Sequence, residues 1–380
     1  MIMNKQLVFM HSPLLDEGGY PDDCPFSSKR AGRTKKSIES LGLLNYSHTR
    51  IEEPISTSLE KMATFHTEEY LHLLEMAGNG ELDYRGLAKG LGRDDCPLFQ
   101  DLLPFIMLAC GGTTTGAEML LRGEADIVFN LSGGFHHAGP DSASGFCFIN
   151  DVVLGSSILA DAGKRVLILD VDAHHGDGVQ NAFYTRMDVT TISLHESGYT
   201  LFPGTGFVDE IGSGMGIGYS INLPLPAGTY DEIYLWAFRE IVHPLIEKIH
   251  PDVIVLELGM DALAGDPLTH LNLTNNSLAD VFTDILDFNK PMLVVGGGGY
   301  HLNNTVRGWS SAWNIAVNGR ESNVLMGAGM GGVMLQNNSW LGGLVDRALF
   351  FPDSYRESID KEIKLLVERI KETIFPLHGL

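Results

Sequence analysis

Basic residues are scarce in this chain: 26 Lys and Arg stand against 48 Asp and Glu in 380 residues, a formal charge of −22. That excess repels a phosphate backbone, so no direct nucleic-acid partner is expected. Cationic substrates are favoured, although solubility explains such a charge equally well. Cysteine is also rare. Cys24, Cys96, Cys110 and Cys147 are widely spaced with no C-x-x-C pair, which suits reduced thiols in a reducing compartment. Cys147, within Gly145-Phe146-Cys147-Phe148, reads as a buried small hydrophobe rather than a nucleophile. No window reaches the roughly 18 to 20 apolar residues of a membrane span, and the N-terminus lacks a basic-then-apolar signal layout. A cytoplasmic protein without a membrane partner is expected. Linkers, low-complexity tracts and internal repeats are missing too, so residues 1–380 are read as one domain.

What is present is an alternation of strands and helices. Gln6 to His11 reads as a first strand, followed by a Pro- and Asp-rich loop from Pro13 to Phe26. Lys29, Arg30 and Arg33 open a helix running to about Leu43, and Thr67 caps another at Glu68 to Met76. Gly78 to Pro97 reads as loop, and a helix from about Pro104 to Arg122 precedes the strand Asp126 to Leu131. A helix from Asn150 to Ala162 stops at Gly163. Val166–Val171, Val189–Leu194, Ile217–Leu223, Val253–Leu258 and Met292–Val295 read as strands, with helical periods at Tyr230–Ile249 and Leu278–Phe288. Strands spaced by helices imply a parallel sheet covered on both faces. Ile359 to Phe375 forms an amphipathic helix, apolar at Ile363, Leu366, Val367, Ile370 and Ile374, which suits core packing or a face between copies of the chain.

Polar residues gather where the strands end, the edge at which ligands bind in α/β sheets. Val166 to Val179 reads VLILDVDAHHGDGV. Asp172 and His174 lie two apart, so on extended backbone both side chains project to one side and can share a cation. Carboxylate oxygen plus imidazole nitrogen suits catalytic Zn²⁺ or Fe²⁺. Asp261, directly after the apolar strand Val253–Leu258, completes an Asp-His-Asp set; a helix cap is its bland alternative, and Asp266 before Pro267 suits that better. His136 and His137 sit in the glycine-bracketed loop Ser132 to Gly145. Read alone they could be an accidental surface pair. Asp170 and Asp177, each able to orient one imidazole, favour two tuned proton-transfer groups. Four glycines, Gly296 to Gly299, would let the Tyr300 phenol turn toward a developing oxyanion.

His136-His137, the run Asp170 to Asp177, Phe146, Phe202-Pro203-Gly204-Thr205-Gly206, Gly259 to Pro267 and Gly296 to Trp309 together resemble the histone deacetylase family, in its class I-like branch that includes the bacterial acetoin-utilisation-type deacetylases. The resemblance spans about residues 5–315. It implies a three-layer arginase/deacetylase-like α/β fold with a central, mostly parallel sheet. It further implies Asp172, His174 and Asp261 as ligands of one Zn²⁺ or Fe²⁺ per chain, His137 with Asp177 as general base and later acid, His136 with Asp170 as electrostatic partner, and Tyr300 as oxyanion donor. Phe146 and Phe202 would wall an acyl-lysine tunnel beside Gly145, Asp95 would hold the substrate backbone at the rim, and Arg30 would line an internal exit channel. Structural K⁺ is implied at Asp170, Asp172, His174, Ser193 and Leu194, and a second at Phe183, Val189 and Tyr219. Residues 320–380 carry no assigned role.

The expected activity is hydrolysis of an N-acyl amide, with an acyl-lysine protein or peptide as substrate. Arginase-like ureohydrolases also carry Asp-Ala-His, but their second metal needs an aspartate where this chain has Gly176. Acetylpolyamine amidohydrolases with polyamine preference carry an acidic gatekeeper after the Gly-Asp-Pro turn; here Leu268 makes the rim apolar. A small N-acyl amine is the alternative substrate. A non-catalytic acyl-ligand binder is disfavoured because every reacting group is present.

Overall fold

The computed structural model describes residues 5–320 and 344–380. Eight strands run β1 Leu7–Met10, β2 Thr49–Glu52, β3 Ile127–Asn130, β4 Val166–Asp170, β5 Val189–Glu196, β6 Ser220–Leu225, β7 Val253–Glu257 and β8 Met292–Val295. They form one sheet in the order β2-β1-β3-β8-β7-β4-β5-β6, and every pairing is parallel. Parallel neighbours need crossovers, and the helices that make them cover both faces. This is the three-layer arrangement the sequence implied.

Period-two alternation sorts the strand residues between the faces. Leu7, Phe9, Ile127, Phe129, Leu167, Leu169, Ile254, Leu256, Met292 and Val294 pack with Ile241, Phe282, Trp309 and Trp313 from one helical layer. Val8, Val128, Val166, Ile168, Val253, Val255, Leu293 and Val295 face the other layer, with Ala117, Val152 and Phe183. A third cluster, including Tyr20, Phe26, Tyr70, Phe105, Phe135 and Phe148, supports the loops beyond the sheet.

Register then assembles the site. Asp170 is paired with Ser193 on one side and Glu257 on the other, Glu257 with Val295, and Val295 with Asn130. The carboxyl ends of five strands therefore stand in one row, and the loops leaving them share one volume.

Several elements differ from the sequence reading. The loop from Pro13 contains a short helix, Leu14–Glu17. The segment Gly78 to Pro97 holds a helix at Tyr84–Ala88, capped by the Asp83 carboxylate, which accepts from the backbone N–H of Arg85 at 2.9 Å and of Gly86 at 3.1 Å. Strand β6 begins at Ser220 rather than Ile217, because Gly218 turns the chain with φ +87°. Edge strand β2 and the helix Leu302–Asn318 were not anticipated. The last helix extends over Asp353–His378 and buries Ile359, Ile363, Val367, Ile370 and Ile374 in the main core. Its apolar stripe is core packing.

Candidate active site

Strand β4 ends at Asp170, and the chain continues extended enough for Asp172 and His174 to converge as expected. Asp261 reaches them from the turn after β7. One ligand atom from each of these three buried residues lies within 4.8 Å of the other two. His174 Nδ1 stands 3.2 Å from Asp172 Oδ1 and 2.8 Å from Asp261 Oδ2. Backbone amides fix the carboxylates: Asp172 accepts from Gly298 N at 2.6 Å and His174 N at 2.8 Å, and Asp261 accepts from Ala173 N at 2.9 Å. Such outer contacts hold ligands in the orientation a metal needs.

Charge in the cluster is tightly coupled. Burial and the facing Asp172 carboxylate push Asp261 up to about 7. Asp172, against burial, is held below the ordinary carboxylate range by His136 and His174. Against burial too, the hydrogen bonds to Asp172 and Asp261 push His174 up to about 10. The cluster brings carboxylate oxygens and an imidazole nitrogen to one point of the fold, a donor set that fits a divalent cation.

The two histidines form a second unit beside it. His136 Nδ1 meets Asp170 Oδ2 at 2.8 Å, His137 Nδ1 meets Asp177 Oδ1 at 2.8 Å, and the Nε2 atoms face each other at 3.0 Å. A contact between two ring nitrogens requires one proton between them. Burial favours neutral rings, but the Asp170 carboxylate overcomes it and raises His136 well above its ordinary value. Burial and the charge on His136 push His137 down to about 4. His136 is therefore the charged member and His137 the neutral one, which donates Nδ1–H to Asp177 and accepts the His136 Nε2–H at its own Nε2.

Aromatic side chains close the flanks. The Tyr300 ring is edge-on to His174 with centroids 6.1 Å apart, and it lies 5.6 Å from Phe146. Burial, then the charges of Asp261 and Asp172, raise the Tyr300 phenol well above its ordinary value, so it remains a donor. Phe202 stands 5.0 Å from His137 and 6.3 Å from His174. Phe146 has φ +65°, a strained conformation for a bulky residue that concentrates at functional sites. It is held by Asp95: Gly145 N donates to Asp95 Oδ2 at 2.9 Å and Phe146 N to the Asp95 carbonyl at 2.7 Å. Asp95 is thereby tied to Gly145 and Phe146. Leu268 is half-buried after the turn in which the Asp266 carboxylate accepts from Leu268 N and Tyr300 N.

Arg30 is buried, donates to the Gly299 carbonyl at 3.1 Å and stacks on Phe26 and Trp309. Of the residues at which the resemblance implies potassium, Asp170 and Ser193 are register partners, with Leu194 next on β5. Phe183 and Val189 flank the turn into β5, and the Tyr219 carbonyl accepts from Thr191 N at 2.8 Å.

The sequence reading missed three buried acids. Asp151 accepts from Gly134 N and Phe135 N and from the Thr113 hydroxyl, anchoring the loop that bears both histidines. Glu257 Oε1 lies 3.9 Å from His136 Nδ1, and neither of its carboxyl oxygens has a hydrogen-bond partner among the described residues. Glu196 ends β5 with a fully buried side chain. The signal available for the two glutamates was a lone acid in an apolar run, VIVLEL and ISLHE.

Reacting groups massed at the carboxyl edge of an all-parallel three-layer sheet define an arginase/deacetylase-type hydrolase, and comparison with known proteins narrows the class. The Histone deacetylase domain family matches over residues 24–316. Histone deacetylase 8 of Danio rerio is 40% identical over 311 residues, covering 80% of each chain. Histone deacetylase RPD3 of Saccharomyces cerevisiae is 39% identical over 287 residues, 75% of this chain and 66% of that protein. Among solved structures, an HDAC homolog complexed with SAHA matches with TM-score 0.84 and 30% identity, over 97% of this chain and 100% of that one. An HDAC homolog from Aquifex aeolicus gives TM-score 0.84 and 29% identity with the same coverage. The chain belongs to the histone deacetylase family and is a deacetylase-type hydrolase.

Proposed function

We propose that this hydrolase removes acetyl or other acyl groups from the Nε of acyl-lysine in proteins or peptides, using one divalent cation, Zn²⁺ or Fe²⁺, held by Asp172, His174 and Asp261. The observation that carries the reading is the meeting of two histidine–carboxylate dyads, Nε2 to Nε2 at 3.0 Å, beside that Asp-His-Asp cluster. The cation, when bound, supplies Lewis-acid polarisation of the acyl carbonyl and of the attacking water. His137, neutral and oriented by Asp177, turns its Nε2 lone pair from His136 to that water and takes a proton from it. Tyr300 donates its hydroxyl hydrogen to the oxyanion that forms at the former carbonyl oxygen, and charged His136 stabilises the same negative charge. His137 then returns its proton to the lysine nitrogen as the C–N bond breaks, leaving a carboxylic acid and a free amine. Phe146 and Phe202 flank the lysine stem and keep water from it.

Residues 1–380 are read as one deacetylase domain, supported by a sheet that draws strands from Leu7 through Val295. Structural K⁺ beside Asp170 and Ser193 and a cytoplasmic setting belong to the same proposal. Among the described residues no helix is long and apolar enough to cross a membrane. The apolar Leu268 favours a peptide over a polyamine, whose second cationic centre would go unpaired at that rim. Turnover of an acetyl-lysine peptide should exceed that of acetylspermidine at equal concentration. The reverse order would transfer the assignment to small N-acyl amines.

A further inference from the structure

Phe202 is 45% exposed, and the aromatic rings near it belong to His137 and His174. Its position therefore depends on how its backbone loop, residues 197–207, is anchored. Two buried or half-buried acids hold that loop. At its far end the Glu210 carboxyl accepts from Gly206 N and Phe207 N, each at 3.1 Å. At its near end stands Glu196, whose backbone N–H donates to the carbonyl of Ala173, between two of the proposed metal ligands, at 2.8 Å.

The side chain of Glu196 reaches further. One oxygen accepts from the Thr200 hydroxyl at 2.9 Å, inside the Phe202 loop, and meets His270 Nδ1 at 2.9 Å; the other accepts from His270 N at 2.8 Å. His270 lies on the loop that carries Asp261 and Leu268. Its side chain is 63% exposed while that of Glu196 is 0% exposed, so the contact is a buried acid gripping a surface ring. The same loop is pinned from behind, where Thr269 Oγ1 donates to the Asp261 carbonyl and Gly228 N donates to the His270 carbonyl at 2.8 Å. Glu196 thus hydrogen-bonds to both loops that border the cluster, the one with Phe202 and the one with Asp261 and Leu268.

We propose that Glu196 and His270 form a positioning clamp that fixes Phe202 at a set separation from the Asp261–Leu268 loop and thereby sets how closely the tunnel fits acyl-lysine side chains of different length. This rests on the reading of Phe202 as a wall of the acyl-lysine tunnel and of Leu268 at its rim. Neither residue touches the reacting atoms; they act through the wall they hold. A buried carboxyl could simply be satisfying its own hydrogen bonds, and a purely structural role of that kind would leave substrate preference unchanged.

The test compares His270→Ala and His270→Asn in the full-length, metal-loaded protein, because an exposed ring can be changed without emptying the core. Asn can place an N–H donor close to the position of Nδ1. With acetyl-, butyryl- and octanoyl-lysine peptides, His270→Ala should lower kcat/KM for the acetyl substrate by about tenfold, mainly through KM, since loosened walls weaken binding more than chemistry. The octanoyl substrate should lose less, so that the acetyl-to-octanoyl ratio falls, and His270→Asn should recover most of it. Hydrogen–deuterium exchange should speed up in residues 197–207 and 266–273 together in the Ala variant. An unchanged acyl-length ratio, or faster exchange confined to 266–273, would overturn the clamp. If the wild-type protein hydrolyses none of these peptides, the tunnel reading fails, and the exchange pattern still decides whether the two loops are clamped.

Discussion

In the proposed mechanism the chemistry turns on Tyr300 and His137, and the protein has set their protonation in opposite ways. The phenol is kept protonated by burial beside two carboxylates, and the imidazole is kept neutral by burial beside a charged neighbour. Removing the hydroxyl in Tyr300→Phe should lower kcat by about 10² to 10³, the usual cost of one oxyanion donor, with KM little changed. With His137 pushed down to about 4, kcat/KM should hold steady as pH falls until the ring begins to protonate near that value. Asp170→Asn removes the charge that keeps His136 protonated. His136 then stops repelling a proton from His137, so the acid limb should move to higher pH in a pH–rate profile; a fixed limb would contradict the dyad assignment. Two of the three ligands and the carboxylates of both dyads were legible because DVDAHHGD packs them into eight residues. Glu196, Asp151 and Glu257 were not, since each is a single acid whose neighbours come from distant segments.

Among the elements, the glycine run after β8 shows how closely backbone must approach the ligands. A Cβ on Gly298 would collide with Asp261 Oδ2, and lie 2.8 Å from Asp172 Oδ2. Gly298→Ala should therefore leave the fold in place but weaken metal retention by about tenfold or more, on the scale of lost outer-shell support; equilibrium dialysis against Zn²⁺ measures it, and unchanged affinity would count against the ligand set. Most strands were legible because a parallel sheet covered on both faces writes continuous apolar runs. Strand β2 was not, because Thr49, Arg50, Ile51 and Glu52 form a half-exposed edge that reads as loop. The helix Leu302–Asn318 was hidden for a different reason. Its Asn, Ser and Gly content gives weak local propensity, and burial of Val306, Trp309, Trp313 and Ile315 against the sheet layer holds it.

For the molecule as a whole, the amphipathic final helix left two readings open in sequence, and packing against the helix Asp231–Ile249 and β6 decided for the core. Ile363→Ala should accordingly destabilise the protein by about 2 to 5 kcal/mol, the range for emptying a buried aliphatic site, as read from denaturant unfolding. A variant as stable as the wild type would reopen the alternative of a face between copies. In the proposed reaction a single divalent cation at Asp172, His174 and Asp261 acts with the histidine pair on an acyl-lysine amide. Its most direct test is acetyl-lysine peptide hydrolysis by protein stripped with a chelator and then titrated anaerobically with Zn²⁺ or Fe²⁺. Activity should vanish on stripping and return in full at one equivalent per chain. Undiminished hydrolysis by the stripped protein, or recovery that needs a second equivalent, would contradict it.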